Sequence, residues 1–209
     1  MSETISHFTS LPLLELAAVI TALLYVILAA RGNIWCWPAA FVSTALYTAI
    51  FYDVYLWMDS LLQLYYMVMA VYGWFCWQKE KNKAASNVLE SQISVSQWPL
   101  IRHVKAIIVL TILSLALGWF MDVKTPTDFP YLDAATTVFA VFTTYLVTQK
   151  VLENWLYWLV IDFVSIYIYI QKGLMPTAVL FALYVVLAAY GYYHWLQALR
   201  QQEPVPENL

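Results

Sequence analysis

Charged side chains are scarce in this chain. Only 11% of its 209 residues are Asp, Glu, Lys or Arg, whereas ordinary globular domains carry roughly a quarter. This composition excludes a protein whose whole surface meets water, because there are too few polar groups to cover it. The chain is 63% hydrophobic and 17% aromatic, which predicts a single integral membrane domain over 1–209 with no appended catalytic domain.

Motifs of soluble enzymes and metal proteins are also missing. Cys36 and Cys76 lie in apolar runs without metal-ligand spacing and are predicted to be packing residues. There is no Gly-x-x-x-x-Gly-Lys phosphate loop, no Gly-x-Ser-x-Gly element and no His-Glu-x-x-His zinc motif. No basic stripe suits nucleic acid, and the first ten residues lack the Lys or Arg of a signal peptide. We expect no enzyme activity, cofactor or metal.

Long apolar runs dominate what is present. A membrane-spanning helix needs about 20 mostly apolar residues. Seven runs qualify, separated by short polar breaks and by one long polar connection from Gln78 to Arg102. The predicted helices, with approximate ends, are 11–30, 34–52, 55–77, 103–121, 131–149, 154–171 and 175–197.

Basic residues are shared unevenly between the two sides of such a domain. Eight of the ten Lys and Arg fall on the side of the long connection and the C-terminus, and only Lys124 and Lys172 fall on the other. Cytoplasmic loops carry the excess of positive charge. We therefore predict that the N-terminus lies outside and the C-terminus in the cytoplasm.

The sequence also repeats itself. Ala70–Trp77 returns as Ala188–Trp195, 118 positions later, and the same offset carries Tyr66 onto Tyr184. In a strongly apolar chain, such a repeat indicates a transporter built from two related bundles with a site between them.

Two further features support the repeat. Trp-rich segments at 33–37 and 154–158 precede the two copies. The offset of 118 also carries Glu15 onto Asp133, and both carboxylates are predicted in the first turns of helices, where the helix dipole favours them.

The helix count then predicts the architecture. The repeats are 11–77 and 131–197, and the helix at 103–121 links them. A three-helix unit copied in tandem would insert upside down, so the linking helix restores the orientation of the second copy. The prediction is an all-α fold with a 3+1+3 parallel repeat.

One face of the third helix and one face of the seventh carry polar and aromatic residues at steps of three and four. A pore wall would account for this pattern, and so would helix packing through Ala and Gly. The two faces are Asp59, Gln63, Tyr66, Ala70, Gly73 and Trp77, and Thr177, Phe181, Tyr184, Ala188, Gly191 and Trp195.

The sixth helix carries the sharpest candidate, Asp162, near the middle of its span. Trp155, Trp158, Ser165 and Tyr169 share its face. An ionised carboxylate at the bilayer centre costs at least ~2.5 kcal/mol, so Asp162 should face a bundle interior or water and have a partner. The partner is either a bound ligand, with aromatic rings stacked on it, or a neighbouring helix.

These patterns predict one substrate site. His7, His103 and His194 are expected in loops or at the interface without a role, and Lys172 as a solvated charge. The predicted site residues are Asp162, Gln63, Trp158, Tyr66, Tyr184, Ser165, Trp37 and Trp155.

The chain resembles the PnuC family of bacterial vitamin transporters over about 11–197. The segments that carry the resemblance are 33–43, Leu56–Gln63, Val71–Trp74 and Glu153–Trp158. The resemblance implies a fold similar to that of SWEET sugar transporters, facilitated diffusion of nicotinamide riboside, trapping of the substrate by an intracellular kinase, and homotrimers in the membrane lipid.

The substrate remains open between related vitamins. Family members for nicotinamide riboside tend to carry Asn where this chain has Asp162, Ala70 and Tyr190. Relatives carry thiamine or riboflavin, and both nicotinamide riboside and thiamine are cationic heteroaromatics that suit an acidic residue in an aromatic box. The alternatives from other classes are a SWEET-like sugar transporter, which would not need Asp162, and a membrane scaffold without a cavity.

Overall fold

The computed structural model describes residues 2–53, 57–85 and 94–202. Within these ranges the chain is all-α. Its helices are α1 (Ser2–Ala30), α2 (Cys36–Asp53), α3 (Trp57–Ala85), α4 (Leu100–Lys124), α5 (Pro130–Thr148), α6 (Asn154–Gln171) and α7 (Met175–Gln202).

The seven predicted runs each correspond to one of these helices, but four helices are longer than predicted. α1 begins at Ser2 and has 29 residues, about 44 Å at 1.5 Å per residue. α3 continues past Trp77 to Ala85, α4 begins at Leu100, and α7 reaches Gln202. Hydropathy detects the part of a helix that lies in lipid, whereas Gln, Lys, Glu and Ala continue a helix beyond it.

Four of the described helices are long and apolar enough to cross a membrane by length and composition. They are Leu13–Ala30, Leu100–Lys124, Pro130–Thr148 and Thr177–Gln202. α6 has only 18 residues, and its Asp, Asn and many Trp and Tyr residues lower its mean hydropathy. A multi-pass membrane protein follows from the four apolar helices.

The chain divides into two compact units. The first contains α1–α3, where α2 packs against both α1 and α3. The second contains α4–α7, where α6 packs against α5 and α7, and α4 packs against α5. The helix predicted as a linker is thus part of the second unit.

The turn that ends α1 has a counterpart at the end of α5. Asn33 N–H donates to the Leu28 carbonyl at 2.9 Å, and Val151 N–H donates to the Leu146 carbonyl at 3.1 Å. Both are the 6→1 bond of a Schellman motif, which needs a left-handed residue just before the donor. The left-handed residues are Gly32 (φ 62°) and Lys150 (φ 50°).

The end of the long connection lies against this second turn. Ser96 N–H donates to the Lys150 carbonyl at 3.0 Å, and Leu152 N–H donates to the Ser96 carbonyl at 2.8 Å. Trp98 N–H lies 3.4 Å from Oε2 of Glu153. We call residues 95–98 the strap. It fixes the α5–α6 turn by backbone hydrogen bonds.

One prediction about charged residues is wrong, and another is incomplete. Glu15 lies in the middle of α1 and is exposed, because α1 begins well before it. Lys172 is not simply solvated, since its Nζ lies 3.3 Å from Oδ2 of Asp133. Asp133 does lie in the first turn of α5, where it also accepts a 2.9 Å bond from the Thr127 hydroxyl.

Candidate functional site

Asp162 lies on the buried side of α6. It is 4% exposed, and Ser165, one turn later, is also buried. Within the part of the chain that the structure describes, no residue donates a hydrogen bond to the Asp162 carboxylate or pairs with the Ser165 hydroxyl. A buried polar group without a partner is costly. The pair therefore offers an acceptor and a hydroxyl to a ligand at mid-helix.

An aromatic row lies between α6 and α7. Tyr169 stacks on Phe181, with ring centroids 5.2 Å apart and an interplanar angle of 28°. Phe181 meets Tyr184 edge-on at 5.7 Å. Tyr184 is a predicted site residue, whereas Tyr169 and Phe181 were only members of the stripes. Rings in such a row give a heteroaromatic ligand a stacking surface.

The two predicted site tryptophans of α6 lie in different surroundings. Trp158 is half-buried, one turn before Asp162. Trp155 is buried, and its ring meets that of Trp195 edge-on at 5.4 Å and 89°. A Cβ built at Gly191 would come within 2.7 Å of the Trp155 indole, so this ring lies directly on the α7 backbone. Trp155 is a packing residue of the second unit.

Trp37 has the same surroundings in the first unit. It is 2% exposed and meets Trp77 edge-on at 5.3 Å and 85°, and a Cβ at Gly73 would collide with its ring. Tyr25, which the sequence reasoning missed, adds a tilted ring at 6.2 Å. The Nε1 atoms of Trp37 and Trp155 are buried and make no hydrogen bond within the described residues.

These contacts bear on the two interpretations of the stripes on α3 and α7. A tryptophan ring packs against Gly73, and another packs against Gly191. Ala70 and Ala188 are buried. The half of each stripe toward the C-terminal end of its helix is therefore helix packing. Gln63 and Tyr66 are half-buried, and the Tyr66 ring meets Tyr65 edge-on at 5.5 Å.

The predicted site residues thus lie in both units. The second unit holds Asp162, Ser165, Trp155, Trp158 and Tyr184, on α6 and α7. The first unit holds Gln63, Tyr66 and Trp37, on α2 and α3.

The sequence reasoning missed a polar cluster where α4 and α6 begin. His103, expected in a loop or at the interface, lies within α4 and is buried. Its Nδ1 lies 3.1 Å from the Tyr157 hydroxyl, and its Nε2 lies 3.6 Å from Oε2 of Glu153. The spacing of the sequence could have predicted that His103 is buried. It shares a helix face with Leu110, Ser114 and Gly118, which are all buried.

Comparison with known proteins gives consistent matches along nearly the whole chain. Residues 12–197 match the family described as nicotinamide mononucleotide transporter. The nicotinamide riboside transporter PnuC of Escherichia coli (strain K12) is 23% identical over 208 residues, which cover 90% of this chain and 87% of the relative. The riboflavin/roseoflavin transporter RibM of Streptomyces davaonensis is 25% identical over 195 residues, which cover 93% and 90%.

A solved structure has the same fold. The crystal structure of the vitamin B3 transporter PnuC superposes with a TM-score of 0.74 and covers 96% of this chain and 88% of the other. The two sequences are 17% identical, so this likeness concerns the fold alone.

Proposed function

Because the chain belongs to the nicotinamide mononucleotide transporter family, we propose that it carries a vitamin across the bacterial inner membrane by facilitated diffusion. Nicotinamide riboside is the first candidate substrate. The relatives differ in their vitamin, since PnuC of Escherichia coli is a nicotinamide riboside transporter and RibM is a riboflavin/roseoflavin transporter. The choice among vitamins therefore rests on the residues of this chain.

The buried carboxylate of Asp162 carries the proposal. It lies at mid-helix with no hydrogen-bond donor among the described residues. Nicotinamide riboside has a positively charged pyridinium ring, and a carboxylate next to a cation in a low-dielectric site attracts it strongly. Riboflavin is neutral and gains nothing from this charge. Thiamine is also a cationic heteroaromatic and remains the second candidate.

The aromatic row between α6 and α7 supports the same class of ligand. Phe181 and Tyr184 lie on α7, and Trp158 lies on α6, the helix that carries Asp162. Their rings supply flat apolar surface. Stacking and cation–π contacts with such rings are each worth about 0.5–2 kcal/mol. Gln63, Tyr66 and Trp37 in the first unit stay predictions as ligand contacts.

The repeated geometry supports the 3+1+3 interpretation. The Schellman turns at Gly32 and Lys150 and the packed tryptophans Trp37 and Trp155 recur at the offset of 118 that relates the two copies. The SWEET-like arrangement of the whole, the outward N-terminus, the trimer and the kinase that traps the substrate remain parts of the proposal.

Uptake into liposomes that contain the purified protein tests the function. We expect labelled nicotinamide riboside to equilibrate across the membrane, and a sugar not to enter. Asp162→Asn should weaken uptake of the cationic vitamin, while Asp122→Asn, the same change at an exposed position of α4, should not. Entry of the sugar would favour the sugar transporter, and entry of neither would favour the scaffold.

The mode of transport is tested in the same vesicles. Without a kinase inside, uptake should stop when the inner and outer concentrations are equal. Enclosing a nicotinamide riboside kinase with ATP should then convert equilibration into accumulation. Accumulation driven by an imposed proton or sodium gradient alone would contradict facilitated diffusion.

A further inference from the structure

The second unit contains a groove that the transport site does not use. It lies between α4, α5 and α6 and has a volume of about 540 Å³. Its walls are apolar, and several of them also form the outer surface of the unit, with Leu100 78% and Val160 65% exposed. The groove therefore opens toward the surroundings of the protein, which are membrane lipid.

Three residues with polar side chains line one end of the groove, where they present almost only apolar atoms to it. His103, Glu153 and Tyr157 line it where α4 and α6 begin. His103 is 8% exposed, and its Nε2 makes no hydrogen bond within the described residues. Glu153 is already engaged, because its Oε2 lies 3.6 Å from that Nε2 and 3.4 Å from the Trp98 N–H. His103 and Glu153 thus pair with each other at this end, and the surface open to a ligand there is apolar.

Two basic residues lie on α4 near the same end. Arg102 and Lys105 are exposed in the first two turns of α4, and the Arg102 guanidinium carbon lies 5.9 Å from the centre of a Trp98 ring. The first turn of α4 has no acidic residue, and Pro99 at its N-cap provides no side-chain cap. The positive end of the helix dipole adds to the attraction for an anion.

The length of the groove fits one leaflet of a bilayer. Its lining along this part of the chain runs from Glu153, the N-cap residue of α6, to Val164 within α6, which is about 16.5 Å at 1.5 Å per residue. Half of the hydrocarbon core of a membrane is about 15 Å. A lipid chain that lies along the groove would therefore place its headgroup at the level of Arg102.

We propose that this groove binds an anionic phospholipid. One acyl chain packs against Ile107, Ala135, Leu156 and Val164, and the phosphate lies at the start of α4, near Arg102 and Lys105. The basic asymmetry assigns this end to the cytoplasmic side, where basic segments next to a membrane helix attract anionic lipid. A second copy of the chain would cover the apolar wall but has no need for a basic end.

Native mass spectrometry of the purified protein tests the proposal, after delipidation and titration with phosphatidylglycerol or with phosphatidylethanolamine of the same acyl chains. We expect one phosphatidylglycerol per protomer, bound more tightly than phosphatidylethanolamine. The double variant Arg102→Gln, Lys105→Gln should bind phosphatidylglycerol about 25-fold more weakly, or roughly fivefold for each charge removed. Lys124→Gln, at the other end of α4, should leave it unchanged.

A second pair of variants tests the groove itself. Ala135→Phe fills the groove and should abolish the bound lipid, while Ala116→Phe adds the same bulk at an exposed position of α4 and should retain it. Equal affinity for the two lipids, or no effect of the charge variant, would overturn the proposal. Dissociation of an oligomer by Ala135→Phe with lipid counts unchanged would assign the groove to a second copy. If Ala135→Phe does not fold, the charge variants still decide.

Discussion

Trp37 and Trp155 occupy equivalent places in the two units, 118 residues apart. Each indole lies on a helix glycine, and each meets a second tryptophan edge-on, at 5.3 and 5.4 Å. Each also follows a turn whose backbone hydrogen bonds match those of the other at the same offset. The two units therefore share a packing scheme as well as a sequence pattern.

The glycine under each tryptophan should not tolerate a methyl group. Gly→Ala in a helix interior normally stabilises by up to about 1 kcal/mol, but at Gly191 the new Cβ would meet the Trp155 indole at 2.7 Å. We expect Gly191→Ala to lower the free energy of unfolding by about 1–3 kcal/mol, the usual cost of overpacking. Thermal unfolding in detergent measures it.

A smaller ring should rescue the same variant. In a Trp155→Phe background the cost of Gly191→Ala should shrink, because the added methyl group then has space. Ala182→Val, which adds bulk at an exposed position of α7, should cost little. An equal penalty for Gly191→Ala in both backgrounds would contradict direct contact between the alanine methyl group and the indole.

The left-handed residues of the two turns give a second prediction. A residue with a Cβ costs about 1–2 kcal/mol more than glycine in this conformation, and Lys150 holds the position that Gly32 holds in the first unit. At each of the two positions, the protein with glycine should be more stable than the protein with alanine by about this amount. Lys150→Gly and Lys150→Ala both lack the lysine side chain, so a comparison of the two isolates the effect of the Cβ atom. Equal melting temperatures of these two variants would contradict the prediction.

The sequence predicted the helices well because lipid imposes a simple requirement on length and polarity. It predicted that Asp162 is buried for the same reason, since a charge in the bilayer must avoid lipid. It did not predict the helix ends, because polar residues such as Gln78 to Lys83 form helix as readily as loop in water.

The site was harder to predict than the fold. Spacing shows that Trp155 shares a face with Asp162, but it does not show that the neighbouring helix has a glycine at the right height to hold the indole. The equivalence of Trp37 and Trp155 is also obscured in the sequence, because the Trp-rich segments begin with Asn33 and Asn154, which lie 121 positions apart rather than 118. His103 was misplaced because the predicted helix began at that residue, whereas α4 begins at Leu100.

Topology gives a third prediction. Ser91 in the long connection lies outside the described residues, so a cysteine is better placed at Ser94, which is exposed. Because basic residues concentrate on this side, Ser94→Cys should resist a membrane-impermeant thiol reagent in intact cells. Thr125→Cys, exposed at the other end of α4, should react. Both are made without the two native cysteines, and the reverse pattern of labelling would invert the orientation.

The last prediction concerns the carboxylate of Asp162. Asp162→Asn keeps the shape and the hydrogen-bonding capacity of the side chain and removes its charge. If the carboxylate offsets a cationic ring, affinity for nicotinamide riboside should fall by about 1–3 kcal/mol, the scale of a hydrogen bond to a charged group, while affinity for neutral riboflavin should not fall. Calorimetric titration in detergent measures both.

The controls separate a ligand role from a structural one. Asp122→Asn should change neither affinity, and Trp158→Ala should weaken both vitamins because stacking does not depend on ligand charge. A size-exclusion profile shows whether each variant is folded. If well-folded Asp162→Asn binds nicotinamide riboside as tightly as the original protein, the carboxylate is structural, and recognition must rest on the uncharged candidates Gln63, Tyr66 and Tyr184.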